Sequence, residues 1–161
     1  MRNHEVHKQV QAIGDLIAET QHAAKDDLEL QSHWARYLCV LVAGLLENAL
    51  RELYSDFCRS TASQSVADFS AAALARYRNP KAGTFVKVSR AFKREWASSL
   101  EAFLNDDGRK EAIDSIMAQR NQIAHGKSSG ITVARVADYF QKVVTVVDFI
   151  EKQCNGSAKK K

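Results

Sequence analysis

Apolar residues recur at three- and four-residue spacing along most of this chain, and only one proline, Pro80, interrupts them. Such a pattern buries one face of a helix and does not alternate as a half-buried strand would. With seven glycines in 161 residues, the scarcity of breakers reinforces the helical reading. The expected fold is all-α: an antiparallel bundle of about five to seven helices in one domain. That domain is expected over residues 1–154, followed by a disordered basic tail at 155–161.

The periodicity divides the chain. Val6, Val10, Ile13, Ile17 and Ala24 mark a first helix over 4–25, with Asp26-Asp27 near its end. Leu38, Leu41, Val42, Leu45, Leu46, Ala49, Leu50, Leu53 and Phe57 cover a wide arc of a long helix over 31–59, expected at the bundle's centre. A loop at 60–65 leads to a short helix over 66–77, with Ser65 as its N-cap. Arg78-Asn79-Pro80 breaks the chain, because proline disfavours helix at the residue before it. Phe85, Val88, Phe92, Trp96, Leu100 and Phe103 resume helical spacing, in one piece or two. Asn105-Asp106-Asp107-Gly108 is a turn. A helix from about Arg109 to His125 stops at Gly126, a natural C′ residue. Thr132 opens the last helix, whose face is Val133, Val136, Phe140, Val143, Val144, Val147 and Ile150.

No apolar run reaches the roughly 18 residues a membrane-spanning helix needs. The polar start, Met1 to Gln9, carries no signal-peptide core. Three widely spaced cysteines, Cys39, Cys58 and Cys154, form no zinc pattern and suit buried thiols in a reducing compartment. The expected location is cytoplasmic, with no membrane partner. Net charge is +4, split as −2 over residues 1–80 and +6 over 81–161. Half of that excess is Lys159-Lys160-Lys161, and the rest is a modest bias toward an anionic partner.

Arg120-Asn121-Gln122-Ile123-Ala124-His125-Gly126 is the stretch richest in chemistry. Arg120 falls in register with the apolar stripe of Ile113, Ile116, Met117, Ile123 and Ala124. An unpaired buried charge costs several kcal/mol, so Arg120 calls for a carboxylate, a subunit interface or an anionic ligand. Arg120 and His125 stand about 140° apart on an ideal helix, so a frayed or tightened end would bring the imidazole round. One reading is a phosphate held by the arginine while the histidine moves protons. The other is C-terminal capping by His125, with Arg120 in an ion pair to a residue such as Glu47.

From Arg76 to Arg94 there are seven basic residues and no acidic one. Arg78, Lys81, Lys87, Arg90 and Arg94, together with Lys127, are candidates for contact with an RNA backbone. A solvated helix face is the alternative. His4, His7, His22 and His33 are scattered and make no convincing metal set, and no cofactor motif is present. Gly126-Lys127-Ser128 is not a phosphate-binding loop, because Asn121 stands where the upstream glycine would be. Trp34 and Trp96 suit packing better than base stacking.

Arg120-Asn121, three residues, then His125 resembles the R-x4-6-H signature of the HEPN superfamily, and the surrounding chain is similar to its bacterial RiboL-PSP-HEPN subgroup. The supporting segments are Ala43-Gly44-Leu45-Leu46-Glu47, Asn79-Pro80-Lys81, Lys110-Glu111-Ala112-Ile113-Asp114 and Gly130-Ile131-Thr132. The resemblance runs from about residue 31 to 153. It implies a helical bundle that forms a homodimer with two Arg/His motifs facing each other. It also implies metal-independent RNA cleavage, often as a toxin or anti-phage effector, in some cases with an antitoxin partner. Carried over, Arg120 and His125 are the catalytic pair, Asn121 the supporting polar residue, and Glu47 a weaker correspondence. HEPN toxins paired with a nucleotidyltransferase antitoxin carry a tyrosine two residues after the histidine; Lys127 stands there, so a tyrosine switch is not expected. The alternative function is a non-catalytic HEPN module for dimerisation or RNA binding.

Overall fold

The computed structural model describes residues 3–23 and 27–158. Among them are seven helices and no strand: α1 (His4–Ala23), α2 (Leu28–Thr61), α3 (Gln64–Leu74), α4 (Ala82–Phe92), α5 (Arg94–Asn105), α6 (Arg109–Ala124) and α7 (Val133–Ala158). Each sends side chains into one buried cluster, which includes Ile13, Leu46, Leu74, Phe85, Leu100, Ile116 and Val143. The 34 residues of α2 span about 51 Å, and the other helices pack around this rod. Leu38, Leu45, Leu46, Leu50 and Tyr54 are fully buried along it.

The direction of each neighbour is fixed by contacts at the ends. At one end of the bundle, the Asn3 backbone N–H donates to Glu151 of α7 at 2.7 Å, and the Asn3 amide donates to Asp56 of α2. Thus α1 starts, and α2 and α7 finish, at the same end, so α7 runs parallel to α2. α6 runs antiparallel to α7: Arg109 Nε donates to Thr145 at 3.3 Å, while Ser129, just before α7, bonds Gln119 at 2.6 Å. It follows that α6 is antiparallel to α2. The Cys39 thiol, donating to the Ile116 carbonyl at 3.6 Å, sets their register. The C-terminal end of α6, with the Arg/His motif, therefore lies toward the N-terminal end of α2.

Several boundaries differ from expectation. α2 begins at Leu28 because Asp27 is its N-cap, accepting from Leu30 N–H at 2.9 Å; Asp27 opens this helix and does not close the first. Ser63, not Ser65, occupies the N-cap position of α3, without a side-chain cap bond. The apolar spacing from Phe85 to Phe103 belongs to two helices. The break is at Lys93, whose backbone is extended (φ −150°, ψ 134°). The bend packs Phe92 on Tyr54 with ring centroids 5.0 Å apart and Trp96 against Phe57 at 5.0 Å. Lys93 caps this aromatic group, its Nζ 4.9 Å from the Trp96 ring centre. α7 continues through Ala158, overrunning the expected start of the tail at 155; Ala24, Asp26 and Lys159 to Lys161 lie outside the described residues. Among the described residues, no helix is long and apolar enough to cross a membrane.

Candidate active site

α6 presents Ala112, Ile113, Ile116 and Met117 to the core, all fully buried. Arg120 is the next residue on that line, four after Ile116, and is half-buried. Ile123 packs partly on the core, and Ala124, expected on the stripe, is exposed. The arginine thus interrupts the apolar seam in the last turn but one of the helix. Among the described residues, none forms a hydrogen bond or ion pair with Arg120. The ion pair to Glu47 is not made.

The helix ends in a Schellman motif. Lys127 N–H donates to the Gln122 carbonyl at 2.9 Å, and Gly126 N–H donates to Ile123 at 3.1 Å. Gly126 takes φ +67°, the left-handed value that favours glycine. His125 is the C-cap, with φ −94° and ψ 13°, its N–H shared between the Asn121 and Gln122 carbonyls at 3.2 Å each. The last turn is therefore tight, with the Asn121, Gln122 and Ile123 carbonyls all bonded. It leaves the His125 side chain exposed, about 7.5 Å of helical rise beyond Arg120. The Asn121 and Lys127 side chains are also exposed.

Three hydrogen bonds hold the loop that follows. The buried Ser129 hydroxyl pairs with Gln119 and also accepts from Ile131 N–H at 3.4 Å. Thr132 accepts from Arg135 N–H at 3.2 Å, capping α7 as expected. The Ser129–Gln119 latch had no signal in the sequence, since a serine in a polar loop looks like any other.

Glu47 is engaged elsewhere. Its Oε1 accepts from Arg78 Nη1 at 3.0 Å and its Oε2 from Asn79 N–H at 3.1 Å. Asn79 has φ +48°, a left-handed conformation that asparagine tolerates better than most residues. Asp114 of α6 then accepts from Ala82 N–H at 2.9 Å. This carboxylate supplies the α4 cap that Lys81, at the N-cap position, does not make. Two carboxylates separated by 67 positions in sequence thereby clamp the 78–82 segment between α2 and α6.

The basic candidates separate into groups. Arg78 is committed to Glu47 while remaining largely exposed. Lys87 and Arg90 of α4 line a cleft of about 250 Å³ with Lys110 of α6 and Glu101 of α5. Lys110 was not among the sequence candidates, because its helix lies outside the basic run. Arg94 is exposed at the start of α5, beyond the break at Lys93, and so stands on a different helix from Lys87 and Arg90. Lys81 is exposed beside the clamp. Histidines 4, 7 and 33 are exposed, and His33 lies 3.9 Å from Glu29; the His22 side chain lies outside the described residues. All three cysteines are free and buried, and burial pushes the Cys39 and Cys154 thiols up to about 12.

A helical bundle with an unpaired, half-buried arginine at the end of one helix, and an exposed histidine five residues on, has the build of a HEPN domain. The RiboL-PSP-HEPN family model matches residues 5–156, and the chain belongs to that family, within the HEPN superfamily. Membership indicates an RNA-related, nuclease or nucleotide-binding role, and HEPN domains commonly dimerise. No curated protein and no solved structure matches the chain.

Proposed function

We propose that this protein is a metal-independent endoribonuclease of HEPN type, acting as a homodimer with Arg120 and His125 of both chains at one cleavage site. The observation that carries the proposal is Arg120: a guanidinium on the core line of α6, half-buried and without a carboxylate partner among the described residues. A protein that leaves such a charge unpaired forgoes stability, and an anionic ligand is the natural counterpart.

RNA supplies its own nucleophile, the 2′-OH. Its in-line attack on the adjacent phosphorus needs a base for the 2′ proton, an acid for the departing 5′-oxygen, and positive charge on the phosphorane. One chain offers one imidazole and one guanidinium; two chains facing each other offer the full set. The bond formed is 2′-O to phosphorus and the bond broken is phosphorus to 5′-O, so the products are a 2′,3′-cyclic phosphate and a 5′-OH. Asn121, one residue from the arginine, supports the pair as a polar contact to the phosphate or to the facing chain.

The dimer has a surface suited to it. Leu30, Tyr37 and Val40 on the N-terminal half of α2 are exposed, and Leu30 and Tyr37 line an open, mostly apolar hollow with His33 and Trp34. A second copy of the chain covering this surface would make an isologous contact. The toxin or anti-phage role, with an antitoxin partner, is proposed on the family resemblance.

The test is cleavage of a labelled mixed-sequence RNA in EDTA by wild type and His125→Ala. Fragments from wild type alone, ending in cyclic phosphate, are expected; equal cleavage by both proteins overturns the mechanism. The cleft of Lys87, Arg90 and Lys110 favours a second reading, an RNA-binding module without turnover. Salt-sensitive binding with no cleavage by wild type would establish that reading in place of the first.

A further inference from the structure

Arg36 is the one described residue whose charged group has a buried atom with no partner: its Nε is shielded from solvent and bonds nothing. Buried polar groups nearly always find a partner, so an orphan calls for a cause. No described residue forms an ion pair or hydrogen bond with the rest of this guanidinium either.

Its position supplies the cause. The Cys39 thiol meets the Ile116 carbonyl, and α2 and α6 run in opposite directions. Arg36 lies three residues before Cys39, on the same side of α2, about 4.5 Å along the axis. Arg120 lies four residues after Ile116, on the same side of α6, about 6 Å along the axis in the same direction. The two arginines therefore stand at one level of the α2–α6 seam. Neither has a carboxylate partner among the described residues. Glu47 of α2 and Asp114 of α6 are engaged with the 78–82 segment toward the other end of α6. Two like charges at one level of a helix seam repel unless an anion lies between them.

We infer that Arg36 and Arg120 together form a clamp for one phosphate group, so that Arg36 is a substrate-binding residue of the Arg120–His125 site. The clamp rests on the ribonuclease reading only for the identity of its anion, a phosphodiester of RNA. A guanidinium presents a planar fork that pairs with phosphate oxygens through two parallel bonds. Two forks from adjacent helices fix the phosphate's position and orientation, and leave His125 to act on the flanking oxygens. The orphaned Nε marks a guanidinium that the protein's own groups leave uncompensated, at a cost in stability to the free protein.

The probe is a short 2′-O-methyl RNA, which lacks the nucleophile and is not cleaved. Its affinity is measured against salt for wild type, Arg36→Met, Arg36→Lys, Arg120→Met and the Arg36→Met/Arg120→Met double variant. Arg36→Met keeps the aliphatic stem and removes the orphaned group, so its Tm should equal or exceed that of wild type. Its affinity should fall about tenfold, with the salt dependence shallower by about one counterion. Arg36→Lys should retain the salt slope and lose part of the affinity. In the double variant the second loss should be smaller than in the single, as expected for two groups on one ligand. Unchanged affinity and salt slope in Arg36→Met overturn the clamp, as does a lowered Tm with unchanged binding, which marks a purely structural arginine. Strictly additive losses overturn the shared phosphate, and failure of wild type to bind the probe overturns the site. Tight, Arg36-dependent binding by a wild type that cleaves no ordinary RNA would remove the ribonuclease reading and leave the clamp standing.

Discussion

The Glu47 carboxylate accepts the backbone N–H of Asn79 at 3.1 Å across 32 positions of sequence, and this contact fixes the bend before Pro80. Its other oxygen holds Arg78. The carboxylate is therefore a brace for the 78–82 segment. Glu47→Ala should cost about 1–2 kcal/mol, because a charged acceptor is removed from a half-buried N–H, while the exposed Arg78 pair adds little. Glu47→Gln keeps an acceptor and should cost less. Cleavage by either variant, measured well below its melting temperature, should stay near that of wild type. A loss matching that of His125→Ala would instead place Glu47 in the chemistry.

Arg120 and His125 should behave in the opposite way. His125 is exposed and makes no side-chain bond with a described residue, so His125→Ala should leave Tm unchanged. Loss of the proton-transfer group should lower kcat by about 10²–10⁴-fold. Arg120→Met, which fills the same half-buried site with an uncharged stem, should be at least as stable as wild type. It should lose about 10²–10³-fold in kcat through weaker stabilisation of the phosphorane. Thermal melts alongside single-turnover cleavage separate the two effects.

Gly126 links backbone conformation to the site. Its φ is +67°, and a Cβ there would meet nothing within 4 Å. The cost of Gly126→Ala is then conformational strain alone, about 1–2 kcal/mol. Relief of that strain unwinds the Schellman bonds from Lys127 and Gly126 and moves His125. Gly126→Ala should therefore lower cleavage as well as Tm. Gly126→Asn, a residue better suited to left-handed φ, should recover part of both.

The helices and the Arg/His motif were legible because both are local. Apolar spacing marked the buried faces of α1, α2 and α7, and Gly126 marked the end of α6. The partners of charged side chains were not legible, since they depend on which helices become neighbours. Glu47 and Arg120 both lie on the inner half of their helices, and periodicity alone permits them to meet. Helix direction and register decide otherwise, sending Glu47 to Arg78 and Asn79. The break at Lys93 was ambiguous for a related reason. The apolar spacing runs through it unchanged, and only the stacking of Phe92 and Trp96 around Tyr54 and Phe57 requires the chain to bend. Arg36 gave no signal, because a single arginine near the start of a long helix is ordinarily solvated.

The cleft between α4, α5 and α6 should contribute affinity without chemistry. Lys87, Arg90 and Lys110 line it, and Glu101 offsets part of their charge. Replacing the three basic residues together by glutamine should flatten the salt dependence of RNA binding by up to about three counterions and raise KM. The kcat at saturation should change little, because these groups contact ground state and transition state alike. Glu101→Gln should act in the opposite direction. An unaltered salt slope in the triple variant would exclude the cleft from the RNA path.

Stability should fall in alkaline solution for a reason lying in the core. Burial raises the Cys39 and Cys154 thiols from an ordinary value near 9 to about 12 in the folded chain. Below pH 9 both are protonated in folded and unfolded chains alike, and the stability they confer is fully present. Between pH 9 and 12 the unfolded chain releases these protons and the folded chain keeps them. The unfolded state then binds fewer protons, so stability declines as pH rises, by up to about 1.4 kcal/mol per pH unit for each thiol. Burial also raises the Tyr54 hydroxyl, which adds to the decline above pH 10. Urea unfolding at pH 8 and pH 10 should show the drop, and Cys154→Ala should reduce it. Cys39→Ala should reduce it too, with a further small loss at every pH, because the thiol bond to the Ile116 carbonyl is removed from the α2–α6 seam. A pH dependence identical in wild type and both variants would show that these thiols do not control alkaline stability.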